Sequence, residues 1–307
     1  MKRVKLLDVS LRDGGHRTNF YFKANELEQI LMPLDEANLD YIEIGYRNGS
    51  LHPIANIGEA GLCPKGYLEA CANLIKKTKI AVMVHPQNVN LVDLKELKEA
   101  SVKLIRVCLS FNEAEVAFPT IEICQDLGLG VSINFIHMSY YKEDEMDKVV
   151  QKIIPKEVDA IYFADSNGSM MPKRVASIYK KYTELYKTPF GYHAHDNLGL
   201  AQANAIAALD NGAEYIDVSL AGMGKGIGNL KTEFFIAYLE ALGLRKYNLD
   251  AALSASNYVR QALNIGHEDI EMDEFIRGIT DLSTADLAKY KEKNINEKNT
   301  RLSSRHG

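Results

Sequence analysis

Two histidines separated by one residue, His193 and His195, form the clearest pattern of chemistry-bearing residues in the sequence. They fall in a short apolar run that predicts a β-strand, and residues two apart on a strand point to the same face. Asp13 follows another apolar run near the amino terminus. One carboxylate and two imidazoles are typical of a facial site for a divalent ion that also holds a chelating substrate. For the histidine pair taken by itself, ordinary structural hydrogen bonding is the alternative.

Arg12 and His16 flank Asp13 and carry the groups that catalysis beside a metal ion needs. A guanidinium can bind a carboxylate in a bidentate manner, and histidine has a reference pKa near neutrality, which suits proton transfer. Between them, Gly14 and Gly15 are typical of a tight turn that leaves a strand and presents the flanking side chains. A structural ion pair for Arg12 and a surface position for His16 are the alternatives.

The segment 222–229, with the sequence GMGKGIGN, is rich in glycine and follows the last apolar run of the regular part of the chain. It fits neither nucleotide-binding template, because it does not follow the first strand and Lys225 is followed by Gly226 instead of Ser or Thr. Such a segment could cradle a phosphate or allow close approach of the backbone. Asn229 could complete the coordination of a metal ion or cap the following helix.

Eight short runs rich in β-branched and aromatic residues predict strands at 5–11, 41–45, 80–85, 104–109, 131–137, 160–165, 190–195 and 215–220. Segments of helical periodicity alternate with them, at 27–37, 67–77, 91–100, 119–127, 143–154, 173–187, 199–211 and 232–242. Strict alternation of this kind, with strands that are continuously apolar, predicts an α/β fold in which a parallel sheet closes as a (β/α)₈ TIM barrel. A doubly wound open sheet is the structural alternative.

A barrel would gather the candidate residues at one place. Catalytic groups in barrel enzymes lie at the carboxyl ends of the strands, which is where Asp13, His193, His195 and the segment 222–229 fall. Strand eight lies beside strand seven and closes against strand one, so Asp13 can face the histidine pair across the barrel mouth. The joint placement favours a metal site over the structural alternative.

The overall composition restricts the class of protein. The 307 residues include 41 acidic and 36 basic side chains, for a formal charge of −5, which argues against a dedicated nucleic-acid binder. No apolar run approaches the roughly 20 residues of a membrane span, and the amino terminus lacks a signal-type core, so we expect a cytoplasmic protein. The four cysteines show no C-x-x-C pairing, which indicates neither a disulfide framework nor a thiolate metal site.

Two segments interrupt the alternation. Residues 46–66 form a long connection after the second strand, and connections of this length on the active face of a barrel are typically functional. After Gly243 the alternation stops, and 250–264 and 284–292 predict helices. We therefore expect a barrel domain over 1–243, a C-terminal helical extension over 244–292 and a disordered polar tail over 293–307.

Four motifs make the chain resemble the DRE-TIM metallolyases, a superfamily of metal-dependent barrels that includes hydroxymethylglutaryl-CoA lyase and isopropylmalate synthase. Within it, the chain most resembles the 4-hydroxy-2-oxovalerate aldolase group. The motifs are DVSLRDGGH at 8–16, YFADSNG at 162–168, HAHDNL at 193–198 and SLAGMG at 219–224. They occur in the order of that group and cover the predicted barrel.

The resemblance implies an aldol cleavage that uses a divalent ion, Mn²⁺ or Mg²⁺, held by Asp13, His193 and His195. The ion would chelate the carboxylate and keto oxygens of a 2-oxo acid. A chelate of this kind stabilises a developing enolate without a covalent intermediate. A Schiff-base aldolase would instead need a lysine at the barrel mouth, where Lys225 is the candidate.

The resemblance also implies roles for three further side chains. Arg12 would stabilise the enolate that forms when the bond between C3 and C4 breaks. His16 would act as the acid and base near the C4 hydroxyl, and Ser166 would help to seat the substrate. These roles describe cleavage of a 4-hydroxy-2-oxo acid with release of pyruvate.

The chain departs from the superfamily pattern at several positions. The acyl-CoA condensing branch usually has Gly-Glu-Gln after Arg-Asp, whereas this chain has Gly15 and His16 in the DGGH segment, which disfavours a Claisen synthase. Tyr46, Arg47 and His85 also differ from the aldolase group and fall at the predicted barrel mouth. They could bind a more polar or acidic substrate than a small aldehyde, or have ordinary structural roles.

The leading prediction is a divalent-metal-dependent aldolase that cleaves or forms a C–C bond of a 4-hydroxy-2-oxo acid, and we expect a homo-oligomer. Catabolic aldolases of the group dock on an acylating aldehyde dehydrogenase, but the C-terminal region here is shorter and unlike the docking portion. An acyl-CoA-dependent Claisen synthase is the first alternative. The second is a non-catalytic barrel in a multienzyme complex, against which Arg12, Asp13 and the histidine pair argue.

Overall fold

The centre of the molecule is a ring of eight parallel strands. The structure is a computed structural model that describes residues 4–267 and 272–303. The strands follow one another around the ring in chain order. They are β1 (Lys5–Asp8), β2 (Tyr41–Tyr46), β3 (Lys79–Val84), β4 (Val102–Leu109), β5 (Gly130–Phe135), β6 (Ala160–Asp165), β7 (Phe190–Ala194) and β8 (Tyr215–Val218).

The ring is closed between its last and first strands. β8 pairs with β1 in parallel, from Lys5 opposite Tyr215 to Asp8 opposite Val218. This pairing confirms the (β/α)₈ barrel and excludes the open doubly wound sheet, which would leave two unpaired edges. β1 ends earlier than predicted because the chain turns after it, where the backbone N–H of Asp13 donates to the carbonyl of Val9 at 2.8 Å.

Helices follow the strands and form an outer layer. In the barrel they are α1 (Ala24–Glu36), α2 (Lys65–Leu74), α3 (Leu91–Glu99), α4 (Phe118–Asp126), α5 (Glu143–Ile153), α6 (Pro172–Leu185), α7 (Ala201–Asp210) and α8 (Thr232–Ala241). Each confirms a predicted helix to within a few residues. The apolar stripe of α1 packs against the sheet, with Leu27 5% exposed and Ile30, Leu31 and Leu34 fully buried.

The barrel interior is filled in layers. At the amino-terminal end, Tyr162 and Tyr215 form a small cluster apart from the main core, with ring centroids 5.9 Å apart. Above it lies a layer of buried charge made by Glu43, Arg106 and Asp217, each no more than 2% exposed. The guanidinium of Arg106 lies over the ring of Tyr162, 4.4 Å from its centroid. These layers form a floor beneath the barrel mouth.

The long connection after β2 packs closely on the end of that strand. A side chain at Gly45 would place its Cβ 1.8 Å from the carbonyl oxygen of Ala60, so only glycine allows this approach. A short turn, Glu59–Gly61, leads from the connection into α2. The connection therefore lies against the carboxyl end of the barrel, as predicted from its length and position.

The C-terminal extension contains the helices α9 (Leu249–Ala262), α10 (Met272–Thr280) and α11 (Thr284–Ser303). α9 is fastened to α8 by Glu233, whose carboxylate accepts from Ser256 Oγ at 2.7 Å and from Arg260 Nη2 at 2.6 Å. Among the described residues, no helix is both long and apolar enough to cross a membrane.

Two features of the extension differ from the sequence prediction. α10 is not predicted, since it is short and contains Gly278, a poor helix former; this glycine lies so close to Leu198 that a Cβ would be 2.7 Å from it. α11 spans Thr284–Ser303 and so includes residues that the sequence analysis assigns to the polar tail. No Pro or Gly interrupts residues 284–303, so helix continues without a breaker. The rest of the predicted tail, 304–307, lies outside the described residues.

Candidate active site and metal centre

Asp13, His193 and His195, here called the metal triad, meet at the carboxyl end of the barrel. Asp13 lies in the turn after β1, His193 lies in β7 and His195 follows it. One ligand atom from each lies within 4.8 Å of the other two, and all three residues are buried. His195 Nε2 is 3.9 Å from Asp13 Oδ2. The predicted approach of Asp13 to the histidine pair is therefore what the fold produces.

Two neighbouring side chains, Asp217 and Asn229, each hold one member of the metal triad. His193 Nδ1 lies 3.0 Å from Asp217 Oδ2, so donation to this carboxylate leaves the Nε2 lone pair available to a metal ion. Asn229 Nδ2 donates to Asp13 Oδ2 at 2.7 Å, while its own Oδ1 is buried and has no hydrogen-bond partner in the described part of the chain. The donor set of two imidazoles, one carboxylate and an orphaned amide oxygen fits a divalent ion.

Charge and burial set the protonation states of the metal triad. Burial raises the pKa of Asp13, but the guanidinium of Arg12 and the nearby imidazoles outweigh it and hold that pKa well below its usual range. Burial lowers the pKa of His195 to about 3. At neutral pH the triad thus presents a carboxylate and, at His195, a neutral imidazole, which are the protonation states that metal binding requires.

A buried chain of charges connects Arg12 to the metal triad. Arg12 donates from Nη1 to Asp13 Oδ1 at 2.8 Å and from Nε to Glu43 Oε2 at 2.7 Å. Arg106 donates to Glu43 Oε2 at 3.0 Å and to Asp217 Oδ2 at 2.7 Å. Because Asp217 also holds His193, one network orients both Arg12 and a triad ligand.

Glu43, Arg106 and Asp217 are the residues of this network whose role the sequence analysis misses. Each is a charged residue in the interior of a strand, flanked on both sides by apolar residues, which is the signal that could have marked it. Buried charges are costly unless they are paired, so an isolated charge in a strand of a barrel predicts partners on other strands. Which partners these are depends on how the barrel closes.

The metal triad opens into a cavity of ≈ 170 Å³ at the barrel mouth. Four further side chains that the sequence analysis selects line it: Arg12, Tyr46, His85 and Ser166. Ser166 Oγ accepts a hydrogen bond from the backbone N–H of His137 at 2.9 Å, which orients its hydroxyl. The structure therefore brings these predicted residues to one site.

Arg47 does not join them, which corrects its predicted place at the substrate site. Its Nε donates to Asp93 at 3.0 Å, its Nη1 donates to the carbonyl of Cys63 at 2.8 Å, and its Nη2 pairs with Glu96. Tyr46 and Arg47 are adjacent in an extended segment, where the N–H of Arg47 still donates to the carbonyl of Met83 at 2.9 Å, so their side chains point to opposite sides. Arg47 fastens the connection after β2 to α3.

His16 lies beside the cavity without being among the residues that line it. Its ring meets Phe20 edge to face, with centroids 4.8 Å apart, and its Nε2 is buried without a hydrogen-bond partner among the described residues. Burial lowers the pKa of His16 to about 3, and the charges of Lys225 and Arg12 act in the same direction against that of Asp13. His16 is therefore neutral at pH 7 and able to accept a proton.

The cavity also contains residues that the sequence analysis does not assign to the site. They come from the ends of β4 and β5 and from the loops after β2, β5 and β8, and include His52, Cys108, Asn134, His137 and Lys225. The sequence analysis places Lys225 at the barrel mouth but does not predict that it lines the cavity. The others stand in loops or at strand ends that carry no motif.

The C-terminal extension reaches the loops around this cavity. Asp281 Oδ1 accepts hydrogen bonds from Asn167 Nδ2 at 2.9 Å and from Ser169 Oγ at 2.6 Å, both in the loop after β6. Arg277 of α10 is 4% exposed and pairs with Glu274 at 2.6 Å. The extension thus braces the loop after β6, and its Gly278 packs closely on Leu198 in the loop after β7.

A closed parallel barrel with its polar cluster at the carboxyl mouth defines a (β/α)₈-barrel enzyme. Residues 3–259 match the HMGL-like family, and the chain belongs to that family. A 4-hydroxy-2-oxovalerate aldolase from Moorella thermoacetica is 34% identical over 247 residues, which are 80% of this chain and 72% of the relative. The enzyme of the same name from Carboxydothermus hydrogenoformans is 34% identical over 245 residues, 79% of this chain and 72% of that one.

Solved structures agree with this placement. The N-terminal domain of a candidate aldolase from Bacteroides vulgatus superposes with a TM-score of 0.84 and 28% identity, and covers 95% of this chain and 98% of that one. An HMG-CoA lyase from Brucella melitensis gives 0.72 at 18% identity, over 86% and 99% of the two chains, and supports the fold alone. The chain is an enzyme of the carbon–carbon lyase class, which confirms the predicted resemblance.

Proposed function

We propose that the protein is a divalent-metal-dependent aldolase that cleaves or forms the C3–C4 bond of a 4-hydroxy-2-oxo acid through a pyruvate enolate. The observation that carries the proposal is the meeting of the metal triad with Arg12 in one cavity. The names of the relatives at 34% identity support the same substrate class. The proposed ion is Mn²⁺ or Mg²⁺, the ions that the resemblance to the metallolyases implies.

Asp13, His193 and His195 would hold the ion, with Asn229 beside Asp13. When bound, the ion supplies Lewis-acid stabilisation of the charge that develops on the keto oxygen as the enolate forms. The chain contributes the orientation of the ligands, because the carboxylate of Asp217 fixes the ring of His193. It also limits access of water, since the triad is buried.

Arg12 is positioned to bind the negatively charged head of the substrate. Its Nε and Nη1 are committed to Glu43 and Asp13, and among the described residues Nη2 has no hydrogen bond. Two fixed contacts hold the guanidinium plane, so little conformational entropy is lost when Nη2 donates to a substrate oxygen. The network through Glu43 therefore preorganises Arg12 for a developing enolate.

His16 is proposed as the proton carrier, through its unpartnered Nε2. In cleavage, Nε2 accepts the proton of the C4 hydroxyl, the C3–C4 bond breaks, and its electron pair stays on C3 as the enolate while an aldehyde leaves. The proton then passes from Nε2 to C3 and yields pyruvate. Burial keeps the imidazole of His16 neutral in the free protein, and the negative charge of a bound 2-oxo acid would raise its pKa toward the range in which a base accepts a proton.

The first test measures enolate formation from pyruvate alone, without the aldehyde half of the substrate. Pyruvate is incubated in D₂O with the protein and Mn²⁺ or Mg²⁺, and exchange at its C3 methyl group is followed by NMR. We expect metal-dependent exchange, inhibition by oxalate, and release of pyruvate from a 4-hydroxy-2-oxo acid. Asp13→Asn should lower the exchange rate by about 10³-fold, in the range of lost metal and electrostatic stabilisation.

Lys103→Met is the matched control, because Lys103 is an exposed residue at the opposite, amino-terminal end of β4. Its exchange rate should equal that of the wild type. Full exchange in folded Asp13→Asn protein would refute the proposed site. Thiol release from acetyl-CoA with a 2-oxo acid, in place of pyruvate exchange, would point to the condensing synthase instead.

A further inference from the structure

Part of the cavity wall has no proposed role in binding or activating the 2-oxo acid half of the substrate, here called the pyruvate head. His52 in the loop after β2, His85 after β3 and Lys225 in the loop after β8 all line the cavity that contains the metal triad. We call these three residues the distal subsite. None of them is a member of the metal triad or of the network around Arg12. Their side chains are polar; His52 and Lys225 are exposed at the mouth, whereas His85 is buried.

His85 is a buried imidazole with an unused nitrogen. It is 4% exposed, and its Nε2 has no hydrogen-bond partner in the described part of the chain. The ring stacks on Tyr46 with centroids 5.7 Å apart and planes 16° apart, so its orientation is fixed. A buried polar atom without a partner is destabilising, and in a cavity it is satisfied by a water molecule, an ion or a ligand group.

Lys225 is held at the mouth by its neighbours in the chain. Arg17 donates from Nε to the carbonyl of Gly224 at 2.8 Å and from Nη2 to the carbonyl of Gly226, so the backbone is fastened on both sides of Lys225. The Nζ of Lys225 has neither a hydrogen bond nor an ion pair to any described residue. Its backbone is therefore fixed, while its charge stays available.

The balance of charge in the cavity favours a second anion. Among the described side chains that line it, Asp13 is the only carboxylate, whereas Arg12 and Lys225 are both cationic. A divalent ion at the metal triad would add two positive charges, and the carboxylate of a pyruvate head supplies a single negative one. An electropositive cavity of this kind selects and steers ligands that carry additional negative charge.

We propose that the distal subsite binds an anionic group, a carboxylate or a phosphate, on the aldehyde half of the substrate. The natural substrate class is then a 4-hydroxy-2-oxo acid with a negatively charged distal end, not one that ends in a methyl group. The inference rests on the proposed function, because it assigns the aldehyde half only once the metal triad holds the 2-oxo acid half.

The protonation state of His85 agrees with this assignment. Burial, helped by the charges of Arg12 and Lys225 and by the neighbouring His52, lowers the pKa of His85 to about 4. The imidazole is neutral at pH 7 and can donate a hydrogen bond from a ring N–H. An anion bound among these groups would offset their mutual repulsion, with Lys225 as its counter-charge.

The experiment compares three 4-hydroxy-2-oxo acids that end in a methyl group, a carboxylate or a phosphate ester. The measured quantity is kcat/KM for pyruvate release by the protein loaded with Mn²⁺. We expect at least one anionic substrate to exceed the methyl substrate by about tenfold or more, the scale of one favourable charge contact. The phosphate and carboxylate arms identify which of the two anions the subsite prefers.

Three variants locate the effect. Lys225→Met should lower kcat/KM about tenfold more for the preferred anionic substrate than for the methyl substrate, and Lys225→Arg should restore part of the difference. His85→Phe keeps a ring against Tyr46 but removes Nε2, and should reduce the same preference. Lys103→Met removes an equal charge at the opposite end of the barrel and should change nothing.

Proton exchange at the pyruvate methyl group distinguishes failure of the proposed function from failure of the distal subsite, because the exchange needs no aldehyde. If the wild type shows no metal-dependent exchange, the proposed function and the distal subsite both fall. If exchange occurs but the methyl substrate is preferred, the distal subsite alone is overturned. It is equally overturned if Lys225→Met lowers kcat/KM by the same factor for all three substrates.

Discussion

The metal triad and the distal subsite share one cavity but differ in how their polar groups are held. Around the triad, Asp217 and Asn229 bond to its members, and Arg12 pairs with Asp13. In the distal subsite, His85 Nε2 has no hydrogen-bond partner among the described residues. The difference teaches that bonds between charged and polar side chains fix the geometry where the ion would bind, whereas ring stacking and backbone contacts fix the distal subsite and leave its polar atoms to a ligand.

Breaking the network beneath the metal triad should have the largest effect. Arg106→Met removes the guanidinium that bridges Glu43 and Asp217 and leaves two buried carboxylates without that partner. We expect the free energy of unfolding to fall by about 3–5 kcal/mol, as for a broken buried ion pair. Urea denaturation measures it, with Arg245→Met, a change at an exposed arginine, as the matched control. A decrease in the free energy of unfolding below about 1 kcal/mol would show that the network of Glu43, Arg106 and Asp217 contributes little to stability.

Loosening one triad ligand should weaken metal binding without removing a ligand. Asp217→Asn replaces the carboxylate that lies 3.0 Å from His193 Nδ1 with a neutral amide. We expect the affinity for Mn²⁺ to fall by about 10–100-fold, the usual effect of losing such an orienting group. Titration calorimetry on folded protein gives the constant, and Asp126→Asn, on the outer surface at the end of α4, serves as the reference. Unchanged affinity would mean that His193 is oriented by packing alone.

The distal subsite should reveal itself in the dependence of stability on pH. The folded-state pKa of His85 is lowered to about 4 from 6.5, so the unfolded chain binds its proton first as the pH falls. Stability from this group is present above pH 6.5 and is lost between 6.5 and 4. Between pH 7 and 4.5, His85→Phe should therefore lose about 1–2 kcal/mol less than the wild type.

Urea denaturation at the two pH values measures this difference. His267→Phe, a change at an exposed histidine, is its control and should follow the wild type. Parallel pH profiles for the wild type and His85→Phe would argue that His85 is not a strained, neutral imidazole.

The smallest effect is expected at the connection that carries His52. Arg47→Lys keeps the charge but cannot reproduce the fork that contacts Asp93, Glu96 and the carbonyl of Cys63. We expect a loss of stability of about 1 kcal/mol and faster proteolysis within 47–64. Arg245→Lys provides the comparison. Equal cleavage rates in both variants would show that Arg47 does not fasten this segment.

Residues close together in sequence account for most of what could be predicted about the site. His193 and His195 share a face because strands have a period of two, and Asp13 lies in the turn after β1. The resemblance to metallolyases rests on the same local motifs. Prediction failed at Arg47, since this residue continues the extended backbone after Tyr46 and adjacent side chains of such a segment point to opposite sides.

The sequence by itself determined the barrel and the metal triad, because a run of alternating strands and helices admits few closures and places strand ends together. Only the tertiary structure decided the partners of Glu43, Arg106 and Asp217, which come from strands far apart in the chain. It also decided which side chains line the rest of the cavity and where α10 lies. The physical reason is that pairing of buried charges and packing of loops depend on distances that no local pattern encodes.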